Sequence, residues 1–337
     1  NVSNSIIAWV TIGPMVASAM LSPAAGKFGD IFGRKKTWAF GFVVMIISLA
    51  ISAAARTAWV LIFGRVMQGM GQAFQMPSDN AIIQASFPKD QRGTVIGIRS
   101  GFQVLGPAVG VVAGGLIVEA VGWRSMFIGP LIVVTPLFIV GLFIVKSPPN
   151  TSVRGQQKQF DLIGALLLAI SVSTTLFVVN QGPTFGWGSA VIIITSIAAA
   201  AFTFFLVKYE AAHKDIAILP PDFFGNLSVL MVTFLRCSCS FCYMGFFIAM
   251  PFYLRQVLGY SLVDASIILS SRPIVGVFLN PICGRLTKVV ACEKLIFLGY
   301  LLGLISYVVY FFILQEEADV AVIIVGLVLQ GFSQFTM

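Results

Sequence analysis

Histidine, acidic residues and charge in general are scarce in this sequence. Its 337 residues include one histidine, His213, and thirteen Asp and Glu, and charged residues make up 10% of the chain. Soluble globular proteins carry roughly 25% charged residues. A membrane-bound enzyme would need a convergent nucleophile and base or a set of metal ligands, and the apolar segments offer neither histidine nor acidic residues at metal-ligand spacing. The sequence therefore predicts neither catalytic residues nor a metal site.

Several other signals are also missing. No nucleotide-binding loop of the form GxxxxGK(S/T) occurs, so energy must come from an ion gradient or from the gradient of a substrate, and no cofactor is expected. A CxCxxC cluster lies at 237–242, but its first two cysteines point to different faces of a helix, which favours packing over metal binding. The chain lacks an initiating methionine and a signal peptide, and we expect it to be a fragment.

Long apolar runs fill most of the chain. Hydrophobic residues make up 58% of it, and the mean hydropathy is +0.96. A bilayer core of about 30 Å requires roughly 20 apolar residues per helix, and these runs do not alternate as barrel strands do. The sequence therefore predicts an all-α polytopic membrane protein. The eleven predicted spans are residues 6–26, 37–54, 59–84, 94–118, 125–145, 161–180, 190–207, 227–250, 263–283, 295–314 and 320–337.

Basic residues concentrate on one side of these spans. Fourteen Lys and Arg lie on that side and three on the other, so the first side is cytoplasmic by the positive-inside rule. The net charge of +8 thus reflects topology and not a nucleic-acid partner. The expected location is the plasma membrane or the bacterial inner membrane, and the lipid bilayer is the main partner. The basic loops are 26–37, 85–93, 146–160, 208–226 and 284–294.

The span 59–84 carries a polar stripe. Its polar residues recur every three or four positions, which places them on one face of a helix. The stripe is roughly 21 Å long at about 1.5 Å per residue, and a polar face of that length must line a protein interior or a water-filled cavity. Its members are Arg65, Gln68, Gln72, Gln75 and Asp79.

Two other segments have unusual glycine patterns. In the cytoplasmic segment 26–36, GKFGDIFGRKK, three glycines permit a tight turn around Asp30. In the span 94–118, glycines four residues apart allow close helix packing, and Pro107 predicts a kink in mid-span.

The sequence divides into two bundles and repeats motifs between them. The most polar loop, 146–160, is the natural boundary between bundles. SPAAGKF at 22–28 matches NPICGRL at 280–286, and VMQGMGQ at 66–72 matches VLQGFSQ at 328–334, which is typical of a secondary transporter. Gln330 and Gln334 thereby correspond to Gln68 and Gln72. The predicted domains are an N-terminal bundle at 1–145, a linker with two extra spans at 146–226, and a C-terminal bundle at 227–337.

These motifs resemble those of the major facilitator superfamily. Segment 26–36 resembles the signature GxLADxxGRK, with departures at Phe28, Gly29 and Ile31, and Arg65 with Gly69 resembles the fourth-helix RxxxG motif. The span 94–118 resembles the fifth-helix GxxxGPxxGG motif of antiporters. The extra spans and PFYLRQVLGYS at 251–261 resemble the fourteen-helix drug:proton antiporter branch. On this resemblance the first helix and the last two helices are absent.

The resemblance implies a fold of two pseudo-symmetric helical bundles that rock about a central site. It implies proton-coupled efflux of small, largely hydrophobic or amphipathic compounds by a monomer, with small-molecule substrates and protons as partners. Arg65 would support a coupling carboxylate, which no span supplies at mid-membrane and which would belong to the missing first helix. The implied gating residues are Gly26, Asp30, Gly33, Arg34, Lys35, Gly101, Gly106, Pro107 and Gly110.

Two questions stay open at this point. Arg236 and Arg272 lie near the middle of their spans, where a charge is expensive; they bind either an anionic substrate group or a carboxylate of the protein. The protein is either a drug exporter, a transporter of a specific metabolite or organic anion, or a transporter-like receptor. The candidate pathway residues beyond the stripe are Arg99, Gln103, Arg236, Arg272, Gln330 and Gln334.

Overall fold

The computed structural model describes residues 4–147, 160–213, 216–218, 225–286, 289–313 and 319–336. This part of the chain contains eleven long helices and no strand, one helix for each predicted span, which confirms the all-α fold. A π-helical turn, Tyr253–Val257, continues the eighth helix. In chain order the helices are α1 (Asn4–Phe32), α2 (Arg34–Ala53), α3 (Ala58–Ser86), α4 (Lys89–Val121), α5 (Ser125–Ile144), α6 (Leu162–Phe185), α7 (Ala190–Ala212), α8 (Leu227–Phe252), α9 (Leu262–Leu286), α10 (Cys292–Ile313) and α11 (Val320–Thr336).

Seven of these helices are long and apolar enough to cross a membrane: α2 and α5 to α10. Helices α1, α3 and α4 are longer still, at 29, 29 and 33 residues. Their polar or glycine-rich faces lower their mean hydropathy, and such faces are suited to packing inside a bundle. The apolar part of α11 is shorter, Val320–Ser333. The chain is therefore an integral, multi-pass membrane protein.

The cytoplasmic segment 26–36 is more helical than its glycines predict. Helix α1 runs to Phe32, and α2 begins at Arg34, so the break is a single residue. Gly33 has φ +101°, a conformation that glycine adopts without strain. The predicted turn at Gly26 and Gly29 is wrong because both are helical. Gly29 instead makes room for a side chain, since a Cβ there would lie 3.0 Å from Cδ of Arg34.

The turn between α4 and α5 also contains a glycine with positive φ. Gly122 ends α4 with φ +92°. Arg124 follows and stacks its guanidinium 4.5 Å from the ring centre of Trp123. It also donates a hydrogen bond of 3.0 Å to the carbonyl of Ala55, just beyond the end of α2. A cation near the C-terminus of a helix satisfies carbonyls that the helix itself leaves unbonded.

One compact unit comprises residues 1–86 and 123–230, which hold α1 to α3 and α5 to α7. Helix α3 packs between α1 and α2 through glycines. A Cβ at Gly69 would overlap the backbone of Pro14, and a Cβ at Gly71 would lie 2.8 Å from the carbonyl oxygen of Gly41. Small residues let these helix backbones approach closely, as is usual in membrane bundles.

The second compact unit comprises residues 87–122 and 231–337, which hold α4 and nearly all of α8 to α11. Helix α4 lies along α9, with Gly97 against the backbone of Asn280 and Gly101 against Val277. A buried core joins α8, the π-helical turn, α9, α10 and α11. It is formed by Met250, Leu254, Ala265, Ile268, Tyr310, Ile323 and Leu327.

These units group the helices differently from the predicted domains. Close glycine packing places α4 with the C-terminal helices, whereas α6 and α7 pack with the N-terminal ones. The predicted boundaries at 145 and 226, which describe bundles and a linker in chain order, stay a prediction.

Candidate functional site

Arg65 is anchored to the backbone of a neighbouring helix. Its Nε donates a hydrogen bond of 3.0 Å to the carbonyl oxygen of Val10 in α1. Val10 precedes Pro14 by four residues, and proline has no N–H, so the helix itself leaves this carbonyl without its usual donor. Arg65 supplies that donor. A second bond, from Nη1 to Oε1 of Gln68, is 2.7 Å long. The side chain is half-buried and held by both helices.

The expected carboxylate partner of Arg65 is not among the residues that the structure describes. No carboxylate oxygen of that part of the chain lies within 4 Å of the Arg65 guanidinium. The salt bridge found in the described part of the chain joins Arg34 and Asp30. The coupling carboxylate therefore stays a prediction.

The other residues of the polar stripe differ in exposure. Gln72 is exposed, and Asp79 is half-buried. Gln75 is buried and turns toward α2, where its Nε2 donates to Sδ of Met45 at 3.6 Å. Gln75 lies at the edge of the stripe, where α3 meets α2, so it packs inside the bundle; the role of the stripe in a transport pathway stays a prediction.

A cavity of about 310 Å³ lies among the helices of the second unit. Two arginines line it: Arg272, whose residue is 5% exposed, and Arg236, which is exposed. The guanidinium of Arg272 stacks on Tyr243 with its Cζ 3.7 Å from the ring centre, a cation–π contact. Tyr307 and Tyr310 lie near the same guanidinium. Both arginines of the sequence prediction therefore meet at one cavity.

Gln330 of α11 also lines this cavity. It is 3% exposed, and its Nε2 donates a hydrogen bond of 3.0 Å to the hydroxyl oxygen of Tyr307. Its carbonyl oxygen Oε1 is buried and has no hydrogen-bond partner in the described part of the chain. The side chain of Gln334 lies outside the described residues. Arg99 is half-buried and Gln103 exposed on α4, and neither lines this cavity.

A second cavity lies in the first unit, where α1 meets α6 and α7. It measures about 530 Å³ and is lined mainly by apolar side chains such as Trp9, Val16 and Phe177. Its described polar residues are Ser173, Thr174, Asn180 and Thr195, and no charged residue is among them. It can accommodate apolar groups, but it offers nothing that would select or hold a charge.

The predicted gating residues of the first unit form a local network. Arg34 bonds both Asp30 and the carbonyl oxygen of Gly26, the latter at 3.0 Å. Lys35 donates to the carbonyl oxygen of Leu142 near the end of α5, at 2.7 Å. The carboxylate of Asp30 and the basic residues thus hold the break at Gly33 and tie α2 to α5.

The glycines predicted to pack along α4 fall into two groups. Gly97 and Gly101 contact α9. A Cβ built at Gly106, Gly110 or Gly114 meets no described atom of the same unit within 4 Å. The helix is continuous through Pro107. Within this unit, only Gly97 and Gly101 therefore support the expected role in close helix packing.

Sequence reasoning missed a buried charge cluster where the C-terminal ends of α1 and α7 meet the N-terminus of α6. Asp161 is 2% exposed and caps α6 by accepting from the N–H of Gly164 at 2.8 Å. It also accepts from the Tyr209 hydroxyl at 3.1 Å. Glu210 is 4% exposed and accepts from the N–H of Ile218 at 3.2 Å.

Lys27 supplies the positive charge of this cluster. It lies beyond the span that ends at residue 26, and its Nζ donates to the carbonyl oxygen of Ala217 at 2.9 Å. Burial lowers the pKa of the Lys27 ammonium, and the carboxylates of Asp161, Glu210 and Asp30 partly oppose that shift. The cluster fastens α6 and α7 to α1. The only sequence signal was an aspartate at the first position of a predicted span, which is typical of a helix cap.

The cysteines offer no metal site in the described ranges, where no three His, Cys, Asp or Glu side chains converge. Cys239 and Cys242 line the cavity of the second unit, whereas Cys237 does not.

Comparison with known proteins places this arrangement in a family. The chain is 27% identical to the riboflavin transporter RibZ of Clostridioides difficile over 98% of its own length and 70% of that protein. It is 29% identical to the tetracenomycin C resistance and export protein of Streptomyces glaucescens, over 83% of the chain and 49% of that protein. Multidrug resistance proteins are among the further matches.

A solved structure shows the same fold. The proton:xylose symporter XylE superposes over 100% of this chain and 72% of its own, with a TM-score of 0.64 at 16% identity. The chain thus spans about half to 70% of the two relatives and 72% of the symporter. The family model of the Major Facilitator Superfamily matches residues 1–337. The chain belongs to the Major Facilitator Superfamily and is a membrane transporter, not an enzyme.

Proposed function

We propose that this transporter exports small, largely hydrophobic or amphipathic compounds by alternating access and is driven by the proton gradient. The observation that carries the proposal is Arg65, a half-buried cation fixed by Val10 and Gln68 between α1 and α3. A cation held in this way stabilises the ionised form of a nearby carboxylate and loses that partner when the carboxylate is protonated. This is the requirement for coupling a proton to a change between two conformations.

The proposed substrate class has two supports. The cavities of the two units are lined largely by apolar or aromatic side chains, which suit hydrophobic and amphipathic compounds. The relatives include a protein named for export of tetracenomycin C and others named for multidrug resistance. We expect the full-length protein to act as a monomer in the plasma membrane or the bacterial inner membrane.

Two alternatives remain within the same fold. The relative named as a riboflavin transporter favours transport of one specific metabolite or organic anion. A receptor that binds without transporting is the other alternative. Counterflow separates them, since a receptor gives no exchange of labelled compound across vesicles.

The test replaces the anchored cation in the full-length protein. We expect Arg65→Ala to abolish export and substrate-stimulated proton release in inverted vesicles, while expression and membrane insertion persist. Arg56→Ala is the matched control because Arg56 is exposed in the loop between α2 and α3. A protonophore should abolish export by the parent protein and by the control. Normal export by Arg65→Ala would refute the coupling role.

A further inference from the structure

The cavity of the second unit differs in charge from the apolar cavity of the first. Among the described residues that line it, two are arginines and none is acidic. The helices that form it carry acidic residues only at their ends, such as Asp264 and Glu293 in the first turns of α9 and α10. The cavity is therefore positively charged and partly open, and an ion in it is less screened than an ion in bulk water.

Arg272 is the centre of this charge. The residue is buried, with 5% of its surface exposed. Contact with Tyr243 occupies one flat face of the guanidinium, at 3.7 Å. Such a stack fixes the orientation of the group, whose N–H donors lie in its plane and match the geometry of a carboxylate.

The other lining residues indicate which chemical groups a bound ligand would carry besides its anionic group. Tyr300 and Tyr307 present aromatic rings to the cavity, and rings of this kind pack well against a flat apolar ligand. Gln330 is 3% exposed, and its Oε1 has no partner in the described part of the unit. A buried acceptor left unbonded is costly, so an occupant that donates an N–H or O–H to it is favoured.

We infer that this cavity is a subsite for aromatic organic anions. Arg272 receives the anionic group, Tyr300 and Tyr307 pack against the ring, and Gln330 accepts a hydrogen bond from a polar substituent. Arg236, exposed at the same cavity, adds a second positive charge. The inference rests on the proposed transport function, because it specifies a substrate class for a transporter. A volume of about 310 Å³ is at the lower end of the range for small-molecule sites and accommodates a compound of about two fused rings.

Binding to purified full-length protein tests the subsite without transport. The probes are 6-hydroxy-2-naphthoate, its neutral amide, and the corresponding naphthylmethylamine, which is a cation. We expect the carboxylate to bind at least about tenfold more tightly than the amide, as a charge-assisted hydrogen bond implies. Arg272→Gln should remove that preference, with less than about a threefold change for the amide. Arg255→Gln is the matched control, since Arg255 is an exposed arginine on the π-helical turn.

A labelling experiment on the parent protein tests the subsite even if the Arg272 variant misfolds. Cys242 lines the cavity and is exposed, whereas Cys237 on the same helix does not line it. The naphthoate should slow N-ethylmaleimide labelling of Cys242 relative to Cys237, and the amide should do so only at higher concentration. Failure of the naphthoate to protect Cys242, or tighter binding of the cation than of the carboxylate, would overturn the subsite.

The outcomes for the subsite and for the proposed function are separable. Export that is insensitive to a protonophore, together with a naphthoate preference that depends on Arg272, would refute proton coupling and leave the subsite intact. Proton-coupled export of neutral or cationic compounds, with no difference between naphthoate and amide binding, would refute the subsite and leave the proposed function intact.

Discussion

Replacing Pro14 should change what Arg65 contributes to stability. In the structure Arg65 bonds a carbonyl, that of Val10, which Pro14 leaves without its usual helical donor. In Pro14→Ala the new N–H of residue 14 satisfies that carbonyl, so the bond from Arg65 becomes redundant. The loss of Arg65 should therefore cost less in the Pro14→Ala background than in the parent.

The hydrogen bonds of Arg65 set the magnitude. Arg65→Met removes two, of 3.0 and 2.7 Å. Side-chain bonds within membrane bundles contribute about 0.6 kcal/mol each on average and up to about 1.7 kcal/mol. We expect Arg65→Met to lower the free energy of unfolding by about 1–3 kcal/mol in the parent, and by about 1 kcal/mol less in Pro14→Ala.

Reversible unfolding in mixed detergent micelles measures this double-mutant cycle. Pro23→Ala is the control partner, since Pro23 lies in the same helix and leaves a different carbonyl unbonded. Arg65→Met and Pro23→Ala should add within about 0.5 kcal/mol. Equal losses of stability from Arg65→Met in the parent and in Pro14→Ala would show that the bond to Val10 is not what Arg65 contributes.

The same double variant separates structure from coupling. If Arg65 acts only as a donor to the Val10 carbonyl, Arg65→Met in the Pro14→Ala background should regain export along with stability. The proposed coupling role predicts restored stability without restored proton-driven export. Export by the double variant at the level of Pro14→Ala alone would therefore eliminate coupling at Arg65.

Two further predictions concern packing and buried charge. Gly97→Ala should destabilise the protein by about 1–3 kcal/mol because its Cβ would overlap the backbone of α9. Gly110→Ala should be neutral or slightly stabilising. Thermal unfolding measures both variants, and equal effects would contradict the packing of α4 on α9. Lys27→Met should cost about 1 kcal/mol because it removes the hydrogen bond from the ammonium to the carbonyl oxygen of Ala217. The exposed Lys36→Met should stay within about 0.5 kcal/mol, and a similar loss from both lysines would refute the buried cluster.

The sequence predicted the helices well because each span obeys a strong constraint. A run of about twenty apolar residues has few alternatives to a membrane helix, and all eleven predicted spans coincide with helices. Segment 26–36 was predicted less well. Its glycines suggested a turn, yet only Gly33 leaves the helix, because Gly29 serves the neighbouring Arg34 side chain. A glycine signals a backbone need or a packing need, and sequence alone does not tell which.

Contacts between distant helices set the limit of what the sequence could predict at the site. Pro14 in α1 already implied a carbonyl in need of a donor, but not that Arg65 of α3 would supply it. More than a hundred positions separate Lys27 from Asp161, and about fifty separate Asp161 from Glu210. No periodicity of the sequence relates the three residues. Spacing within one helix fixes a face; the register between helices depends on packing that a single sequence does not encode locally.

The two halves use their matching glutamines differently, and this asymmetry links the two proposals. Gln68 in α3 bonds Arg65 on its own helix. The corresponding Gln330 in α11 bonds Tyr307 on a neighbouring helix, and Leu327, at the position that matches Arg65, is buried in the apolar core. The buried cation of the second unit comes instead from Arg272 on α9, where it lines a cavity. The first arginine is bonded to backbone and suits a fixed counter-charge for a proton; the second is stacked at a cavity and suits a ligand. Substitution at Arg65 should therefore alter proton dependence and leave the naphthoate preference, and substitution at Arg272 should do the reverse.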